Sequence, residues 1–96
     1  MADLHEVADA VSDEASFVLF LEALAADWED EREKEAVQPS SPYGPGANGW
    51  ENGTIGAFLE RAAAWAQDSK HLRVHERTAN PWQLCAQILL AGKGYE

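Results

Sequence analysis

The sequence predicts an all-α fold: one compact domain of three helices at about 13–35, 54–68 and 81–91, with a short helix ahead of them. Three observations support this. Apolar residues recur at spacings of three and four, the period of one helical face. Cap residues stand where each of those runs begins. The large apolar side chains, among them Phe20, Leu24, Trp28, Phe58, Trp65 and Leu89, are just enough for three packed helices around one core.

At the start, Leu4, Val7, Ala8 and Val11 set a short apolar stripe that would fold back on the core, with too little area to hold a helix alone. The first main helix follows from Phe17, Phe20, Leu21, Leu24 and Trp28, with Ser12 or Asp13 as N-cap. Asp13 and Glu14 place negative charge at the positive end of the helix dipole. Beyond Trp28 the same stripe continues at Glu31, Arg32 and Glu35, all charged, so this end is expected to leave the core and project into water or fray. Residues 38–49, "QPSSPYGPGANG", concentrate Pro, Gly, Ser and Asn and read as an irregular loop.

The second main helix starts at Thr54, whose hydroxyl can accept from a free N–H of the first turn. Ile55, Phe58, Leu59, Ala62, Trp65 and Ala66 then share its inward face. Trp50 either staples that helix start or stands exposed beside the loop. Residues 69–79 read equally as an extended connection or a short strand. Asn80 and Pro81 open the last helix as N-cap and first residue, Trp82, Cys85, Ala86, Leu89 and Leu90 face inward, and Gly92 and Gly94 end it.

Ninety-six residues allow one domain, residues 1–96, and a chain this short buries only about 60–65% of its unfolded surface. Seventeen alanines inflate the 46% hydrophobic content, so the core is small. The single cysteine, Cys85, excludes an internal disulfide and reads as a small buried hydrophobe in a reducing cytoplasm. No stretch reaches the ~18–20 apolar residues of a membrane helix, and the acidic N-terminus is unlike a signal peptide. A cytoplasmic protein without membrane contact is expected.

The net charge of −10 lies wholly in the first third: residues 1–35 hold twelve acids against Arg32 and Lys34, while the remainder balances. Such a surface repels phosphate backbones, which argues against nucleic acid, and attracts a basic protein. No cofactor motif is present. His5, His71 and His75 lack metal-site spacing with Cys85, and no serine has the context of a nucleophile elbow. Paired carboxylates are abundant, and Glu29 to Glu35 sit on a stretch without apolar neighbours that would raise one pKa selectively. The expectation is therefore no enzyme, no metal and no cofactor. A small hydrolase would need a concave site lined by Glu, Asp or His.

The run "DWEDEREKE" carries the strongest physical signal. Asp27–Glu31, Glu29–Glu33 and Glu31–Glu35 repel at i, i+4 and oppose the helix dipole, which together weakens this end by roughly 1 kcal/mol. A basic partner would relieve that repulsion. The candidate partner-binding residues are Asp27, Glu29, Asp30, Glu31, Glu33 and Glu35, with Tyr43 and Trp50 as aromatic anchors beside them.

The residues Trp50-Glu51-Asn52, Thr54-Ile55, Phe58-Leu59-Glu60, Ala64-Trp65 and Asn80-Pro81-Trp82, with Tyr95-Glu96 at the end, resemble a family of small acidic bacterial proteins of unknown function. The likeness spans about Phe17 to Glu96. It implies the helix boundaries above and no activity. As a class, such proteins are also similar to the immunity proteins of bacterial toxin systems. The sequence reading is thus a non-enzymatic module that neutralises a basic, toxin-like partner through its acidic surface. The alternative is a stand-alone structural or regulatory domain, including a homodimer that buries Trp50 or Tyr43.

Overall fold

A computed structural model describes residues 3–70 and 80–94. His71, His75 and the undecided course of 71–79 lie outside the described residues, as do Tyr95 and Glu96. Among the described residues four helices are bounded, α1 (Leu4–Asp9), α2 (Glu14–Val37), α3 (Ile55–Asp68) and α4 (Pro81–Gly92), and there is no strand.

Each helix starts on the cap chemistry the sequence offers. The Asp3 carboxylate accepts from His5 N at 2.9 Å and opens α1. Asp13 and Ser16 form a reciprocal box at α2: Asp13 Oδ1 accepts from Ser16 N at 2.9 Å, and Ser16 Oγ accepts from Asp13 N at 3.1 Å. The bond from Ser16 N, and second the Ser16 hydroxyl donating to Asp13 Oδ1 at 2.7 Å, hold the Asp13 carboxyl below the usual aspartate range. Thr54 Oγ1 accepts from Ala57 N at 3.1 Å and opens α3. Asn80 caps α4 with Pro81 in its first turn.

The core centres on Phe20, with Leu24, Ala86, Trp50 and the α1 residues Leu4 and Ala8, and Val11 just beyond them. The marginal N-terminal stripe is therefore stabilised by packing: α1 lies against α2 and α4. α4 touches all three other helices. It packs tightly on α3 at Gly92, where an added Cβ would come within 2.8 Å of the Phe58 carbonyl oxygen and 3.0 Å of Ala62 Cβ. Asn80 Nδ2 donates to Ser12 O at 2.8 Å, and Gln83 Nε2 to Asp9 O at 2.8 Å, so the start of α4 is tied to the α1–α2 junction. At its other end, Asn52 Nδ2 donates to Gly92 O at 2.9 Å, and Glu51 N to Lys93 O at 3.0 Å.

By contrast α2 and α3 make no close backbone contact. They meet through side chains. The Trp50 ring sits between Trp28 of α2, at 5.1 Å edge-on, and Phe58 of α3, at 5.8 Å.

Several expected positions change. α2 does not fray after Trp28 but runs on to Val37. The inward assignment of Ile55, Leu59 and Leu21 is corrected: all three are exposed, because Trp50 spaces the helices and leaves those side chains only partly covered. Cys85 is exposed rather than buried. Ala86, fully buried, takes the central position of α4, and Cys85 points about 100° away from it. Trp82 lies at the edge of the core, its ring 5.5 Å from Phe17 and part of its surface in water.

Candidate functional site

Asp27, Glu31 and Glu35 recur every four residues and so form one row along α2. The loop returns along this row and gives it N–H donors. Glu35 Oε2 accepts from Ser40 N at 2.6 Å, and its Oε1 from Ala47 N at 2.9 Å. Glu31 Oε1 accepts from Asn48 N at 3.0 Å and Trp50 N at 3.2 Å, while Oε2 takes Arg32 Nη2 at 2.9 Å. Asp27 Oδ2 accepts from the Trp50 indole Nε1 at 2.8 Å and pairs with Lys93 Nζ at 2.7 Å.

A second row braces the first. Asn48 Nδ2 donates to Asp27 O and to Asp30 Oδ2, both at 3.0 Å. Lys34 Nζ donates to Asn48 Oδ1 at 2.8 Å and pairs with Asp30 at 2.8 Å. The Asp30 carboxyl is held below its ordinary range by Lys34 first and Asn48 second. Glu35 is lowered by its hydrogen bonds to Ser40, side chain before backbone. Gly46 fits beneath the Glu31 carboxylate, where any Cβ would overlap it.

This arrangement stabilises buried carboxylates by giving them donors that would otherwise be unsatisfied backbone groups. The expected i, i+4 repulsion is offset in the Asp27–Glu31–Glu35 row by those donors. Arg32 also lies over the Trp28 ring, 4.4 Å from its centre, and so closes one end of the Trp28–Trp50 pair.

Two of the concave regions that border this clamp lie between helices. One is an open hollow between α1 and the end of α4, lined by Asp3, His5, Asp9, Gln87 and Lys93. It is thus a concave site lined by Asp and His, the feature a small hydrolase would need; among the described residues its lining includes no hydroxyl or thiol nucleophile, and the Lys93 ammonium is engaged with Asp27, which also lines it. Among the described residues no group of three or more His, Cys, Asp or Glu is arranged to hold a metal ion. The other is an apolar groove between α2 and α3, with Leu21, Ala25 and Trp28 on one wall and Ile55, Phe58 and Leu59 on the other. No described helix is long and apolar enough to cross a membrane.

Residues 13–96 match a family of unknown function, DUF7660. The chain belongs to that family. No curated protein matches it, and no solved structure does. Within this DUF7660 chain, the matched region starts at the Asp13 cap and contains α2, α3 and α4 with the whole clamp.

Of the eight sequence-predicted contact residues, three change place. Asp27 and Glu31 are 5% and 1% exposed, and Trp50 is 8% exposed; all three are engaged inside the fold and offer no landing surface. Trp50 is consequently no anchor for a homodimer. Glu35 and Asp30 sit at the edge of the clamp, part-exposed and bonded to the loop. Glu29 and Glu33 remain exposed and make no ion pair among the described residues, and Tyr43 is 97% exposed at the loop. Sequence reasoning missed Lys93, Asn48 and Gly46. The usable signal was the charged continuation of a buried stripe opposite a Gly-rich loop with N–H groups to place.

Proposed function

We propose that this protein is a non-enzymatic binding module of the immunity type, which neutralises a basic toxin or effector protein. The observation that carries this reading is the division of the acidic helix. One row, Asp27, Glu31 and Glu35, is consumed in holding the loop. Another, Glu22, Glu29 and Glu33, faces water on α2. The clamp fixes the helix end and loop that carry Glu33 and Tyr43, so the charges need little ordering on association. Carboxylates on a rigid helix attract a basic partner over a Debye length of about 8–10 Å and raise its association rate.

A photo-crosslinking phenylalanine analogue at position 43, in place of Tyr43, captures the partner in cells for identification by mass spectrometry. The expected adduct is a protein of net positive charge. Its association with the purified chain should slow several-fold from low to physiological salt, and further in Glu29→Gln/Glu33→Gln. A partner whose association rate ignores both salt and that substitution overturns the proposal.

A further inference from the structure

We infer that the groove between α2 and α3 is the docking site for an amphipathic helix of a basic partner, an inference that rests on the partner chemistry proposed above. The groove is apolar and, among the described residues, uncovered. Ile55 is 81% exposed and Leu59 54%, although both belong to the apolar stripe of α3. Its floor is rigid, because the Trp50 ring is wedged between Trp28 and Phe58 and its indole N–H is fixed on Asp27. A partner therefore meets preformed apolar walls and pays little to order them.

The dimensions suit a helix. The α2 wall runs from Leu21 to Trp28, two turns and about 10 Å at 1.5 Å per residue. That length accepts anchors at i, i+3 or i+4, and i+7, the spacing of helix-in-groove recognition. The charge of the lip selects the occupant: the Arg32 cation stacked over Trp28 at one end is already paired with Glu31, which leaves exposed carboxylates to set the sign. Glu22 and Glu29 flank Ala25 at i−3 and i+4, so they stand one row outside the groove, and both are exposed. A second copy of this chain would set the same carboxylates lip to lip, with a net charge of −10 on each side. A helix with Lys or Arg beside its apolar stripe meets them with opposite charge.

The probe is a synthetic helical peptide with Leu at i, i+3, i+4 and i+7 and Lys on both flanks, titrated calorimetrically against the full chain. A second peptide carries Glu in place of every Lys. The Lys peptide is expected to bind, and the Glu peptide to bind at least about tenfold more weakly. Leu59→Asp should weaken the Lys peptide by about tenfold or more, even though it adds a negative charge; electrostatics alone would move affinity the other way. Leu59 is already largely in water, so the variant is expected to keep its helical circular dichroism and melting temperature. Ile55→Ser supplies a second variant at the same wall without a charge change.

Failure to bind the Lys peptide, or equal binding by wild type, Leu59→Asp and Ile55→Ser, overturns the groove assignment. If such equal binding still falls with Glu29→Gln/Glu33→Gln, the basic-partner reading survives without the groove. If that pair of substitutions also changes nothing, both readings fail. A dimer seen by light scattering and dissociated by Leu59→Asp identifies a second copy as the occupant and overturns the inference.

Discussion

Two regions that meet at Trp50 invert the usual rule of burial. In the clamp the Glu31 carboxylate is shut away from water, while across the groove Ile55, an aliphatic residue, stands almost fully in it. The difference teaches that burial follows the supply of partners. The loop brings the N–H groups of Ser40, Ala47, Asn48 and Trp50 to the carboxylates, so charge can enter the interior at modest cost. The outer half of the α3 stripe finds no opposing helix, because the Trp50 wedge keeps α2 away.

The sharpest way to break the clamp is Lys93→Met, which keeps the side-chain stem and removes the cation from Asp27. A buried carboxylate deprived of its charge partner costs about 3 kcal/mol, at the lower end of the usual range because Lys93 retains some contact with water. Urea unfolding should show that loss. The double variant Lys93→Met/Asp27→Asn should recover most of it, since it removes the orphaned charge. Stability unchanged in Lys93→Met would mean that the pair contributes nothing.

Gly46→Ala attacks the same region without touching charge. The new methyl group would occupy the place of the Glu31 carboxylate, which three hydrogen bonds prevent from swinging aside. The expected loss is about 2 kcal/mol, typical of overpacking at a fixed site. Gly44→Ala, two residues away, meets nothing within 4 Å and serves as the neutral control. Equal melting temperatures for the two variants would show that the clamp yields readily.

On the other side of the comparison, Ile55→Ser should alter stability by no more than about 0.5 kcal/mol, because the side chain gives up little contact. A loss of about 2 kcal/mol would reveal that the groove is covered in solution.

The sequence made much of this legible, and its failures share one cause. Caps at Asp13, Thr54 and Asn80 are local chemistry, and all three helices begin there. The 3–4 spacing correctly grouped Phe20, Leu24 and Trp28, and likewise Phe58 and Ala62, because periodicity reports which residues share a face. It does not report what covers that face. Glu31 extends the buried stripe of α2, and only a loop seventeen residues away in sequence decides that it goes inside. Ile55 and Leu59 extend the stripe of α3, and only the size of Trp50 decides that they stay out. Lys93 was unreadable as a clamp residue, since its partner Asp27 lies at the far end of the chain and no spacing rule joins them.

The smallest effect tests whether the edge of the clamp behaves like its interior. Glu35 has its pKa lowered in the folded protein, from an ordinary value of 4.5, by the bonds to Ser40 and then Ala47. A carboxyl with a depressed folded pKa contributes stability that is fully present above the unfolded value and is lost as pH falls through the lower folded one. The outer loop should therefore stay docked down to about pH 4.5 and loosen only below it. Since Glu35 lies near the surface, global unfolding should hardly register the change; the amide signals of Ser40 and Ala47 should report it by nuclear magnetic resonance. Those signals should titrate together below the ordinary glutamate value, and Glu35→Gln should abolish the transition at both while leaving the Trp50 indole signal in place. Titration of Ser40 and Ala47 at or above that value would show that the two bonds do not hold the loop, and that the clamp ends at Glu31.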